Sequence, residues 1–137
     1  MSTLWTKAHA AFFKVDWNNK MSTEKKIVDF TELEAVLQKF ADDRDWQQYH
    51  SPKNLAMALT AEVGELVEIF QWRTENESKS VASDAALARP VRDELADVLL
   101  YLVRLSSVLG VDLNEAVTYK LATNAQKYPS GDSTPSR

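Results

Sequence analysis

Four acidic side chains fall into two pairs of matched spacing, Glu62/Glu65 and Glu94/Asp97. Residues three apart on a helix share a face, with Cβ atoms roughly 5–6 Å apart. At about 100° per residue, Glu62 falls inside the apolar arc of Leu59, Leu66 and Ile69, and Glu65 sits at its edge. Glu94, Asp97 and Tyr101 line one flank of the Val98/Leu102 stripe. Two carboxylates about 5 Å apart repel by roughly 3 kcal/mol at an effective dielectric near 20. Four of them along one apolar seam need protonation, basic partners or a cation. Hard oxygen ligands without His or Cys suit Mg2+, or Mn2+, rather than zinc. Either pair alone is also the pattern of a solvated acidic face; both together, each bordering an apolar stripe, point to a metal centre.

Other residues complement the acids. Lys120, Asn124 and Lys127 are spaced four and three apart and form one row beside Val117, Leu121 and Tyr128. Cations and an amide donor beside an acidic metal site suit a polyphosphate, although two Lys on a helix also make an ordinary solvated face. Trp46, His50, Trp72 and Tyr101 add flat side chains near the acids, as base stacking requires; the alternative is that the tryptophans cap a bundle. Gly64 stands between the two Glu, where a mid-helix Gly costs about 1 kcal/mol relative to Ala. Close approach of a ligand or backbone, or tight helix packing, would account for it. Glu68 projects away and reads as a surface acid or a contact to a neighbouring subunit.

Four helices must position these groups. The first opens at Thr31 with Glu34 three residues on, a capping-box pattern, and carries Leu33, Val36, Leu37 and Phe40. The second opens at Ser51-Pro52 and runs to about Trp72 on the stripe Leu55, Leu59, Val63, Leu66 and Phe70. A polar stretch, Thr74 to Ser80, interrupts. The third starts near Pro90, since Pro is tolerated only in a helix's first turn, with the stripe Val91, Leu95, Val98, Leu102 and Leu109, and stops at Gly110. The fourth is capped by Asp112 and ends near Lys127. The expected architecture is all-α and four-helix-bundle-like.

Composition narrows the function. With 137 residues and 45% hydrophobic content, the chain is one ordinary globular domain. Gly 3 and Pro 4 are too few for a many-turned β fold. The absence of cysteine excludes thiolate metal sites and a cysteine nucleophile. No apolar run reaches the ~18 residues of a membrane span, and no signal-peptide core opens the chain, so a cytoplasmic protein without membrane partners is expected. Residues 1–30 carry a net +2 and the remaining 107 a net −6, within a formal total of −4. An acidic body is a poor nucleic-acid binder, yet it can take a phosphate ligand once a divalent cation reverses the local charge.

The segments Arg44-Asp45-Trp46-Gln47-Gln48-Tyr49-His50, Asn54-Leu55, Glu62-Val63-Gly64-Glu65-Leu66, Phe70-Gln71-Trp72, Asp93-Glu94-Leu95-Ala96-Asp97-Val98 and Asn124-Ala125-Gln126-Lys127-Tyr128-Pro129 follow one another in an order that resembles the MazG-like all-α nucleoside triphosphate pyrophosphohydrolases. The likeness is nearest to the dCTP pyrophosphatase branch and covers about residues 30–129. It implies a homodimer or homotetramer that hydrolyses (deoxy)nucleoside triphosphates to the monophosphate and pyrophosphate, as a nucleotide-pool house-cleaning enzyme does. By motif position, Glu62, Glu65, Glu94 and Asp97 would hold Mg2+. Trp46, His50, Trp72 and Tyr101 would shape the nucleoside pocket, and Lys120 and Asn124, with Lys127 in the same row, would meet phosphates or sugar. Glu62, on the more buried flank, is the expected general base, with Glu65 beside it in the catalytic pair. Where animal dCTP pyrophosphatases carry a His upstream of Arg-Asp-Trp, this chain has Leu37, a departure that bears on strict cytosine preference.

The domain reading is therefore an N-terminal extension over 1–30, a helical catalytic domain over 31–129 and a tail over 130–137. The extension is either a subunit-packing arm or a leader before a start at Met21. The rival functional readings are a helical interaction module and a nucleotide-binding regulator without turnover.

Overall fold

The computed structural model describes residues 29–131; the expectations for most of the N-terminal extension and of the tail lie outside them. The described residues form helices α1 (Thr31–Asp42), α2 (Pro52–Phe70), α3 (Glu75–Ser78), α4 (Ala88–Leu109) and α5 (Leu113–Lys127), with single 3-10 turns at Trp46–Tyr49 and Val81–Ser83 and no strand among them. The all-α class holds. No helix among these residues is long and apolar enough to cross a membrane.

Capping chemistry accounts for most boundaries. Ser51 Oγ accepts the Asn54 N–H at 3.2 Å, and Pro52 occupies the first helical position of α2, where its missing N–H costs nothing. Asp112 Oδ1 accepts the N–H groups of Asn114 and Glu115 at 2.8 and 3.1 Å, satisfying two orphan donors of α5. Gly110 ends α4 at φ 68°, the left-handed conformation that only Gly adopts without strain. The start of α1 differs from expectation. Thr31 lies inside the helix, and its N–H donates to Asp29 Oδ1 at 3.0 Å, while the Phe30 N–H donates to Asn114 Oδ1 at 3.3 Å. A neighbouring side chain and the start of α5 do the capping that Thr31 was expected to do. The polar stretch after α2 also holds more order than its composition suggested, since Thr74 and Glu77 form a reciprocal capping box around α3.

The core lies between α2 and α4, which pack along each other, with α1 and the Val81–Ser83 turn against α4. His50, just before α2, meets Arg104 near the end of α4, whereas Glu65, late in α2, approaches Glu94 near the start of α4. The two long helices are therefore antiparallel. Ala41, Leu55, Val81, Val91 and Val103 are buried. The expected stripe of α4 is only partly inside: Val91 is buried, but Leu95, Leu102 and Leu109 are exposed. Helix α5 makes no extensive contact with any other described element, so among the described residues α1, α2 and α4 form the packed unit. Apolar faces on both sides of a helix signal burial on both sides, and among the described residues α4 has one side covered, by α2 and α1.

Candidate active site

Antiparallel packing of α2 and α4 brings the acids of the two helices together. Glu62, Glu65 and Glu94 each offer a carboxylate oxygen, and these atoms lie within 4.8 Å of one another. Glu62 and Glu94 are half-buried and Glu65 is exposed, as the helical angles predicted. Three oxygens this close suit one hard divalent cation, whose ligands sit about 2.0–2.6 Å from the ion. Asp97, one turn along α4, is half-buried and lies outside this three-acid set.

Tyr101 registers the same concentration of charge. Its phenol is pushed up to about 12, first by burial and then by Glu62 and Asp97. An anion there would add to an already negative cluster, so the hydroxyl stays protonated through the neutral range. The sign of the stability effect follows. Because the folded-state value exceeds the ordinary 10.0, the unfolded chain ionises first, and stability falls as pH rises above 10 toward 12. The melting temperature of Tyr101→Phe should decline less over that range than that of the unmodified protein; equal declines would mean Tyr101 does not feel the acids.

Gly64 has no tight neighbour among the described residues, because a Cβ placed there meets none of their atoms within 4 Å. Packing among the described residues therefore does not account for it. Gly64→Ala should raise the stability of the protein alone by up to about 1 kcal/mol through helix propensity, read as a higher melting temperature. A lower one would contradict the open space seen here.

At the other end of α2 the aromatics cluster. Asp45 adopts a left-handed conformation at φ 59°, which Asp tolerates better than most residues, and it turns the chain into the Trp46–Tyr49 segment. Trp46 meets Phe40 edge-on at 5.6 Å and His50 at 6.0 Å between ring centroids. The Arg44 guanidinium lies 3.5 Å over the Phe40 ring. His50 is held below its usual value by burial and then by Arg104.

Not every expected site residue converges. Trp72 follows the far end of α2, 88% exposed. The 19-residue helix spans about 28 Å at 1.5 Å per residue, so Trp72 cannot share a pocket with Trp46 and His50 of the same chain. Lys120 and Lys127 are exposed and Asn124 half-buried on α5. Among the described residues no hydrogen bond or ion pair joins these three to the acids, and Lys127 Nζ instead lies 5.2 Å from the centre of the Tyr128 ring. Sequence reasoning also passed over Arg104, Gln38 and Asp42, which form a polar chain beside His50. The available signal was helical register, since Arg104 falls three residues after Tyr101 and seven after Asp97, on the same face as the acids.

Known proteins resemble this chain in sequence and in fold. The MazG-like family matches residues 57–135. Mouse dCTP pyrophosphatase 1 is 44% identical over 110 residues, covering 80% of this chain and 63% of that protein. The human dCTP pyrophosphatase 1 is 42% identical over 109 residues, covering 80% and 62%. This chain thus spans less than two thirds of the length of these relatives. The crystal structure of a pyrophosphatase from Archaeoglobus fulgidus superposes with a TM-score of 0.68 at 40% identity, over 80% of this chain and all of that one. With a family match over more than half of its length, the chain belongs to the MazG-like family.

Proposed function

We propose that this protein hydrolyses (deoxy)nucleoside triphosphates to the monophosphate and pyrophosphate, acting on the nucleotide pool as a house-cleaning enzyme. The observation that carries the proposal is the convergence of Glu62, Glu65 and Glu94 from two helices. Mg2+ is the expected cation, with Mn2+ as an alternative, and Asp97 completes the acidic wall beside Tyr101. When bound, the ion offsets the charge of the carboxylates and of the polyphosphate. The chain's own groups do the rest. Glu62, the half-buried member of its pair, accepts a proton from the attacking water. The Tyr101 hydroxyl, protonated at neutral pH, donates to a phosphate or sugar oxygen. The anhydride bond between the α- and β-phosphoryl groups breaks, water supplies the new oxygen, and pyrophosphate departs.

Two observations favour a homo-oligomer. Leu95, Leu99, Leu102 and Leu109 form an exposed apolar row along α4, more than a lone helix face usually leaves in water. Trp46 and Trp72 stand at opposite ends of α2, so a nucleoside pocket using both needs two chains. In a twofold dimer the Trp72 of one copy meets the Trp46 and His50 of the other, and the row Lys120, Asn124, Lys127 is brought to the phosphates. The test of the function is pyrophosphate release from a panel of ribo- and deoxyribonucleoside triphosphates, with and without Mg2+. Metal-dependent release from at least one is expected; binding without release would favour a regulator, and neither would favour an interaction module.

A further inference from the structure

Arg104 is a charged side chain only 6% exposed, and its surroundings are directional. Its Nε donates to His50 Nδ1 at 3.1 Å, and its Nη1 donates to Gln38 Oε1 at 2.6 Å. The Gln38 amide passes the sequence on, its Nε2 donating to Asp42 Oδ1 at 2.7 Å. Gln47 Nε2 donates to the same carboxylate oxygen.

Each link permits one polarity only. A guanidinium has no acceptor and a carboxylate no donor, so the Gln38 amide has a single orientation between them, oxygen toward Arg104 and nitrogen toward Asp42. The same logic applies at His50. Because Arg104 can only donate, Nδ1 must present a lone pair, and the proton of the neutral imidazole must sit on Nε2. Protonating Nδ1 would set two donors against each other in a partly buried place.

We infer that Arg104 is a positioning residue that holds the neutral His50 imidazole as an Nε2–H donor beside Trp46, anchored through Gln38 to Asp42. This rests on the reading of Trp46 and His50 as the nucleoside end of the site. The ligand feature it selects is a hydrogen-bond acceptor, such as a base carbonyl, a ring nitrogen or a sugar oxygen. Arg104 lies on the acidic face of α4, about 10 Å beyond Asp97 at 1.5 Å per residue. One helix thereby sets both the metal end and the nucleoside end of the site.

Among the described residues, the charged groups around His50 are few. Arg104 faces it from α4, Asp42 acts on Arg104 from the end of α1, and the Arg44 guanidinium lies over Phe40 and, at 5.9 Å, over Trp46. Burial and Arg104 both disfavour the imidazolium, so the unfolded chain protonates first and stability falls as pH drops below 6.5.

The experiment is long-range 1H–15N NMR of the full chain carrying His9→Asn, which leaves His50 as the one imidazole of the two in the sequence. The Nε2–H tautomer alone is expected at pH 7, with a titration midpoint below 6.5. This measurement needs no change at Arg104, and an Nδ1–H tautomer would overturn the inference outright. Arg104→Met keeps the length of the stem and removes the donor. It should mix the tautomers, raise the midpoint, and raise KM for nucleotide about fivefold to tenfold, with kcat changing less. Gln38→Met cuts only the anchor and should shift tautomer and midpoint in the same direction by a smaller amount. Unchanged tautomer, midpoint and KM in both variants would refute the positioning role. Absence of turnover with every nucleotide, alongside a locked tautomer, would instead refute the proposed reaction and leave the Arg104–His50 link intact.

Discussion

Glu65→Gln is expected to lower pyrophosphate release by about 100-fold or more, while the protein without ligands melts no lower than the unmodified chain. The substitution keeps the shape of the side chain and removes one charge from three oxygens that lie within 4.8 Å of one another. Even groups that only orient a metal's ligands cost 10- to 100-fold when changed, so a direct ligand should sit at or above the top of that range. Stability moves the other way. Relief of repulsion between neighbouring carboxylates is worth roughly 3 kcal/mol at most, and far less at an exposed position such as Glu65. Stabilisation by nucleotide plus Mg2+, which follows from binding linkage, should shrink with the activity. A solvated acid with no metal role would leave both turnover and ligand-dependent melting as they were.

The second large effect is expected at Trp72. An 88% exposed side chain contributes little to the stability of its own chain, so Trp72→Ala should move stability by no more than about 0.5 kcal/mol. A ring stacked on a base is worth about 1–3 kcal/mol, so KM should rise roughly 5- to 150-fold. The two-chain pocket adds a sharper result. Trp72→Ala and Trp46→Ala proteins, each weak alone, should regain activity when unfolded together and refolded as a mixture. In a twofold dimer with freely exchanging chains, about a quarter of the sites then carry both tryptophans. No recovery on mixing would place both rings in the same chain's site or Trp72 outside it.

How far the sequence could be read depended on whether a feature was local. Ser51-Pro52, Asp112 and Gly110 act on residues within one turn, and the boundaries they predict are those observed. The pairs Glu62/Glu65 and Glu94/Asp97 were legible because a helix fixes the angle between i and i+3; that three of the four acids meet required two helices to pack, which periodicity alone does not specify. The Leu95–Leu102 stripe shows the limit most clearly. Apolar periodicity marks a face that wants cover without saying whether the same chain or another copy supplies it. Trp46–Tyr49 is too short to show a period, and its entry depends on a left-handed Asp45. Arg104 was passed over because its partners, His50 and Gln38, are 54 and 66 residues away in the chain.

On the proposed function, the cluster of Glu62, Glu65 and Glu94 serves cleavage between the α- and β-phosphoryl groups of a nucleoside triphosphate. Following one accepted triphosphate by 31P NMR tests it most directly, with Mg2+ and again with excess chelator. Nucleoside monophosphate and pyrophosphate in equal amounts are expected with Mg2+, and no product with chelator. Orthophosphate with the diphosphate, or the same rate in chelator, would contradict it.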